Sequence, residues 1–333
     1  MSYVAVLRIV LLQVLVAMPS LVLSDTLAVV SRSVNQLSFY DLGSGRLVDH
    51  LPLDGEYHEL GISPDAKHLV LSKYKDSSGN PGEALLLVSL DGLSQKVIPL
   101  PKGAQPHGLS WGLNGLWITD EERGFVYEFI VESGKLNAVD LKAKGAHMLV
   151  ADNSLGRVYV SNRSLNAVHV IDQSTHQLIS THSASGKGSE GVALSVQSGE
   201  LWVANRTSNT IDVFDTSSLD IKATISSCKS PLRLAIDPQD KQVLTSCVHE
   251  GAVDVYSRRT KARVRKTQLP LVASDGELND RALSTPASIL THDNGWLVSH
   301  IRASEISLIP FSKSYRVGSI VTPARPDDME IIR

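Results

Sequence analysis

EGVALSVQSGELWVANRTSNTIDVFDTSSLDIKATI, from Glu190 to Ile225, holds four short apolar runs, VALSV, LWVA, TIDVF and IKATI, parted by Ser-Gly, Asn-Arg-Thr and Thr-Ser-Ser. Runs of this length between turn-forming residues read as a four-stranded antiparallel meander. The preceding stretch, HMLVADNSLGRVYVSNRSLNAVHVIDQSTHQLIST, has the same pattern. Its Asn162, Asn166 and Asp172 return as Asn205, Asn209 and Asp215, each 43 residues later. A fixed period of that length means stacked modules, each of them one sheet.

The rest of the chain follows outward from this pair. After residue 24, TLAVVS, QLSFYD and RLVDHLPL supply three strands without an inner one. Complete units then open at His58, His107, His147, Glu190 and Leu232, and a sixth comprises ASILT, GWLVS, EISLIP and YRVGSIV before the chain ends in DMEIIR. Six units and two complementary end fragments predict an all-β fold over residues 25–333: a seven-bladed β-propeller of four-stranded antiparallel blades. Its ring closes by pairing of the N- and C-terminal strands, with Met329–Ile332 as the inner strand of the blade that starts at Thr26. Closure removes the sheet edges that an open array would expose.

The tetrapeptides Tyr159-Val160-Ser161-Asn162 and Trp202-Val203-Ala204-Asn205, the Ser63-Pro64-Asp65 turn and the recurrent Asn-to-Asp spacing resemble the YVTN family of seven-bladed propellers. No Trp-Asp dipeptide occurs, which separates the chain from WD40 repeats. The resemblance implies a secreted or periplasmic propeller, with related domains in haem d1 proteins and in lactonases. It implies no single activity.

Residues 1–24, MSYVAVLRIVLLQVLVAMPSLVLS, carry Arg8, an apolar run from Ile9 to Met18, a break at Pro19, and Val22 and Ser24 at the −3 and −1 positions of a cleavage site. This reads as a secretory signal peptide. The apolar run is shorter than the roughly 20 residues that span a bilayer. The expected location is therefore periplasmic or secreted, with no membrane span after signal removal. A formal net charge of -3 over 333 residues provides no basic surplus for phosphate neutralisation, so no nucleic-acid partner is expected. Cys228 and Cys247 are the only cysteines. In an oxidising compartment they are expected to form a disulfide.

Inner strands of a propeller converge on its axis, so their first residues face one another. Here these are His58, His107, His147 and Glu190, with Leu232-Arg233 in the next unit. Three imidazoles and a carboxylate suit a transition metal, although the same residues could simply hold the loops above them. The loops between second and third strands open at the same end and carry Lys73, Arg123, Arg163, Arg206, His249 and Arg302. Of these, Arg163, Arg206 and Arg302, together with Glu190, form the expected binding set for a small anionic ligand or a protein partner. The irregular segment from Asp275 to Ser284 is expected to cover this face.

No His-Glu-x-x-His or Cys-x-x-Cys is present, no Gly-x-Ser-x-Gly elbow or phosphate-cradling glycine loop opens a predicted helix, and nothing in the sequence requires a cofactor. The leading expectation is a ligand- or partner-binding module acting through the loop-rich face. The alternatives are a lactonase- or cyclase-like enzyme using His147, Glu190 and Arg206 or Arg233, and a metal- or haem-binding propeller.

Overall fold

The computed structural model describes residues 25–269, 284–312, 318–323 and 325–333. These form seven four-stranded antiparallel sheets, with no α-helix and one 3₁₀ turn at Arg32–Val34. We number the blades from the one that contains both chain ends. Its inner strand is Pro326–Ile332, followed outward by Thr26–Ser31, Gln36–Asp41 and Arg46–Pro52. The inner strands of blades 2 to 7 are Gly55–Ile62, Pro106–Trp111, Ala146–Asp152, Ser189–Ser195, Pro231–Ile236 and Pro286–His292. Ring closure is as expected, with Val29 opposite Met329, although the closing strand begins three residues earlier than the sequence indicated. The expected cover over residues 275–283 lies outside the described residues.

Core packing explains why the strands lack clean alternation. Each blade interface holds its own apolar cluster: Tyr159, Val168, Leu201 and Phe214 between blades 4 and 5, or Leu27, Val29, Leu297 and Met329 between blades 7 and 1. A middle strand such as Glu200–Asn205 is buried at every position because both its faces are covered. Outermost strands such as Arg46–Pro52 are largely exposed.

The repeat residues that define the period have structural work. Asn35, Asn166 and Asn209 adopt the left-handed conformation at equivalent turns, which asparagine tolerates better than most residues. The side chains of Asn166 and Asn209 then accept the amides of Gly188 and Ser230 at 2.7 and 2.8 Å, tying each turn to the segment that enters the next blade. Asp172 and Asp215 close the following turns by accepting amides of Ser174 and Ser217.

Cys228 and Cys247 are bonded, with Cα atoms 5.7 Å apart and a sequence separation of 19. The bond staples the segment entering blade 6 to that blade's second strand. Replacing both cysteines by alanine is expected to cost roughly 3 kcal/mol through lost loop-closure constraint. Chemical denaturation of the two forms checks this, and equal midpoints would refute it.

Candidate functional site

A bulge in every inner strand builds the channel mouth. In each blade two successive residues oppose one residue of the second strand, which turns neighbouring side chains toward the axis. The bulges are held by hydroxyls on the second strands. Ser72, Thr119, Ser161, Ser246 and Ser299 accept the amides of Glu59, Gly108, Met148, Arg233 and Ser288 at 2.8 to 3.1 Å. Thr119, Ser161 and Ser299 also donate to the carbonyls of His147, Glu190 and Asp327 in the following blade. The blades meet closely here: a Cβ on Gly191 would lie 2.2 Å from the Leu232 carbonyl oxygen.

Three tiers result. The first bulge residues include Asp327, His58, His107, His147 and Glu190. The second include Asp328, Glu59, Arg233 and Ser288. An upper tier comes from the ends of the second strands, with Arg32, Tyr74, Glu121, Arg163 and Arg206. In blades 6 and 7 the same positions are Leu232, Ala287, Val248 and Ile301, so the mouth has a polar sector and an apolar one.

In the polar sector His107 and His147 lie with ring centroids 4.3 Å apart and are about 95% buried, at 6% and 5% exposure. His107 Nδ1 is 3.4 Å from Glu59 Oε1, and His147 Nε2 is 3.1 Å from Glu190 Oε2. Burial pulls both imidazoles down, His107 well below the usual histidine range and His147 to about 4 despite the opposing charge of Glu190. Burial opposes ionisation of Glu190, but His147, Arg206 and Arg163 outweigh it and hold the carboxyl below its ordinary value. Neutral imidazole thus faces ionised carboxylate. The Nδ1 atoms of both histidines and Glu190 Oε2 are buried without a hydrogen-bond partner among the described residues. Such atoms need an explanation, and a bound group is one.

Below them, Arg233 forms a buried ion pair with Glu59. Burial raises Glu59 well above the carboxylate range, with Arg233 opposing and Asp328 reinforcing. Burial raises Asp328 as well. Its carboxylate accepts the Leu60 amide at 2.9 Å and the Ser288 hydroxyl. Burial thus favours the protonated form of each carboxyl, and the charge of Arg233 opposes it for both.

The expected site residues fall into three groups. His107, His147, Glu190, Arg163 and Arg206 come together: Arg163 bonds Glu121 and lies 3.8 Å from Glu190, and Arg206 lies 3.4 Å from Glu190 and donates to Ser230 at 2.9 Å. His58 stands beside them, stacked on Tyr74 at 4.0 Å, its Nε2 occupied by Glu56 at 2.9 Å. Arg302 is exposed in its turn and forms no ion pair among the described residues. Two rim cations are placed differently. Lys73 lies inside the strand His68–Asp76 and pairs with Asp54, because that strand runs on past the position where the others stop. Arg123 folds back to donate to Tyr127 of its own blade.

The sequence reading passed over Glu59, Glu121, Asp327, Asp328 and Lys229. Reading the second residue of each inner-strand bulge would have found Glu59 and Asp328, and starting the closing strand at Pro326 would have found Asp327. Lys229 joins Arg206, His249, Ser230 and Glu190 around an open cleft of about 500 Å³ at blades 5 and 6. The cysteines beside His249 are oxidised and offer no thiolate to a metal.

No protein-family model and no curated protein matches the chain. Among solved structures it is similar to a functionally unknown protein from Desulfotomaculum acetoxidans, at TM-score 0.74 and 13% identity over 93% of this chain and 99% of that one. A streptogramin B lyase aligns at TM-score 0.67 and 17% identity, covering 82% of this chain and 85% of its own. A catalytically inactive histidine-to-alanine variant of virginiamycin B lyase from Staphylococcus aureus, solved with quinupristin, aligns at TM-score 0.65 and 14% identity over 85% and 94%. At these identities the likeness is one of fold.

Proposed function

We propose that this chain is an exported, YVTN-type propeller that binds a small anionic ligand in its channel mouth. The observation that carries the reading is the cleft in which Arg206, Lys229 and His249 surround the approach to Glu190. Cations at the entrance receive the anion, while Glu190 and His147 below accept or donate to a polar group. The apolar sector of Leu232, Val248 and Ala287 takes the remainder, in keeping with sites that combine apolar walls with few placed polar groups. Export is supported by the apolar N-terminal run and by the disulfide. No helix among the described residues is long and apolar enough to cross a membrane. N-terminal sequencing of the exported protein is expected to begin at Asp25.

Binding is tested with inorganic phosphate and a series of short carboxylic acids, followed by calorimetry. At least one is expected to bind, and replacing Arg206 and Lys229 together by alanine is expected to weaken it more than tenfold, about 1.4 kcal/mol. The fold should survive, because Lys229 is exposed and Arg206 keeps 36% of its side chain in solvent. No binding by the native protein, or unchanged affinity in the double variant, overturns the reading.

A second reading is favoured by the His147–Glu190 pair. Glu190 at Nε2 leaves Nδ1 of a neutral His147 as a proton acceptor, the arrangement a general base requires. Three of the structural neighbours are named as lyases, and one of them is a catalytically inactive histidine-to-alanine variant. On this reading His147→Gln would retain ligand and lose turnover.

A further inference from the structure

We propose that His107, His147 and Glu121 form a binding site for one divalent transition-metal ion of the zinc class. One ligating atom from each lies within 4.8 Å of the others, and all three residues are buried. Two imidazoles and one carboxylate are a donor set that such ions take with a position left open. The site lies in the same mouth as the proposed ligand cleft but does not depend on any organic ligand.

The surroundings fit an ion better than they fit an unoccupied cluster. Metal-bound imidazoles usually present their other nitrogen to a carboxylate or carbonyl, which fixes the ring and its tautomer. His107 Nδ1 faces Glu59, and His147 Nε2 faces Glu190. Nδ1 of His147, buried without a hydrogen-bond partner, is then the atom left for the ion, while His107, whose Nδ1 makes no hydrogen bond at 3.4 Å from Glu59, offers one of its ring nitrogens. Strand geometry fixes the rings too, since the Thr119 hydroxyl that holds the blade 3 bulge also holds the His147 carbonyl.

Glu121 is the adjustable member. Its oxygens meet the Arg163 guanidinium and, at 3.4 Å, the Tyr74 hydroxyl. Arg163 thus competes with the ion for Glu121. Glu190 already lies 3.8 Å from that guanidinium, so Arg163 has a second carboxylate to turn to. His58 stays outside the set, its Nε2 engaged by Glu56 and Arg32.

The test is a Co²⁺ titration of the full chain after chelator treatment, read by visible d–d absorption, with Zn²⁺ as competitor. One equivalent of Co²⁺ is expected to bind, and Zn²⁺ to abolish the band. Glu121→Gln keeps the shape of the side chain and is expected to weaken Zn²⁺ at least tenfold. Arg163→Ala removes the competitor and is expected to tighten it several-fold, an effect that a purely structural Arg163–Glu121 pair would not produce. Absence of saturable Co²⁺ binding overturns the site. So does an unchanged Zn²⁺ affinity in the Glu121 variant, measured on protein whose circular dichroism matches the native chain. Phosphate and carboxylate binding to the metal-free protein is scored separately, so failure of one proposal leaves the other standing.

Discussion

Truncation before Pro326 is expected to leave the chain without a stable fold. The deleted strand contributes six backbone pairings to Thr26–Ser31 and is the innermost strand of blade 1. Its loss uncovers Leu27, Ala28, Val29 and Val30, all fully buried in the closed ring. It also removes Met329 from the cluster between blades 7 and 1, and Asp328 from its bonds to Leu60 and Ser288. Burying each large apolar side chain is worth about 1.5–3 kcal/mol, so the sum rivals the whole stability of an ordinary domain, about 5–15 kcal/mol. An exposed apolar strand edge adds a route to aggregation. Solubility and near-ultraviolet circular dichroism of the truncated chain check the expectation. A soluble product with a native melting curve would show that the ring does not need its terminal strand.

Arg233→Met is expected to cost about 3–5 kcal/mol at pH 8, the loss found when one partner of a buried ion pair is removed. Arg233 is the guanidinium in contact with Glu59, and Glu59 shares its surroundings with Asp328. Without it, negative charge on those carboxyls loses its paired guanidinium. The pH dependence follows from the direction of the shifts. Both carboxyls are raised in the folded state, so the fold holds protons that the unfolded chain releases, and stability falls as pH rises above the ordinary carboxylate range. Removing Arg233 raises the folded values further, so the deficit should be greatest at pH 8 and shrink toward pH 5. A deficit independent of pH would mean that Arg233 acts by packing alone. A double variant with Glu59→Gln should recover part of the loss, because it removes the stranded charge.

The ring was legible in the sequence because its period is carried by turn chemistry. Asn166 and Asn209 must occupy the left-handed region and bridge to the next blade, and few other side chains do both. The mouth was half legible for a related reason. His107, His147 and Glu190 sit at the first bulge position, which the repeat alignment located. A bulge adds a second inward residue that no alternating pattern announces, and Glu59 and Asp328 were overlooked for that reason. The upper tier was obscured by chemistry. Glu121 and Tyr74 occupy the position of Arg163 and Arg206, so a search for recurring cations found Arg123 and Arg302 instead, which lie further along their turns.

The polar groups at the mouth arrive from all seven blades, spaced along the sequence from Arg32 to Asp328, and three hydroxyls reach across to the following sheet. The two imidazoles and the carboxylates they face, Glu59 and Glu190, come from four different blades. Occupancy of the mouth is consequently a reporter of circular closure. Under conditions that fray the seam between Thr26–Ser31 and Pro326–Ile332, the apparent Kd for any bound group should rise in inverse proportion to the fraction of molecules still closed. A saturating ligand should, in turn, hold the two ends of the chain together.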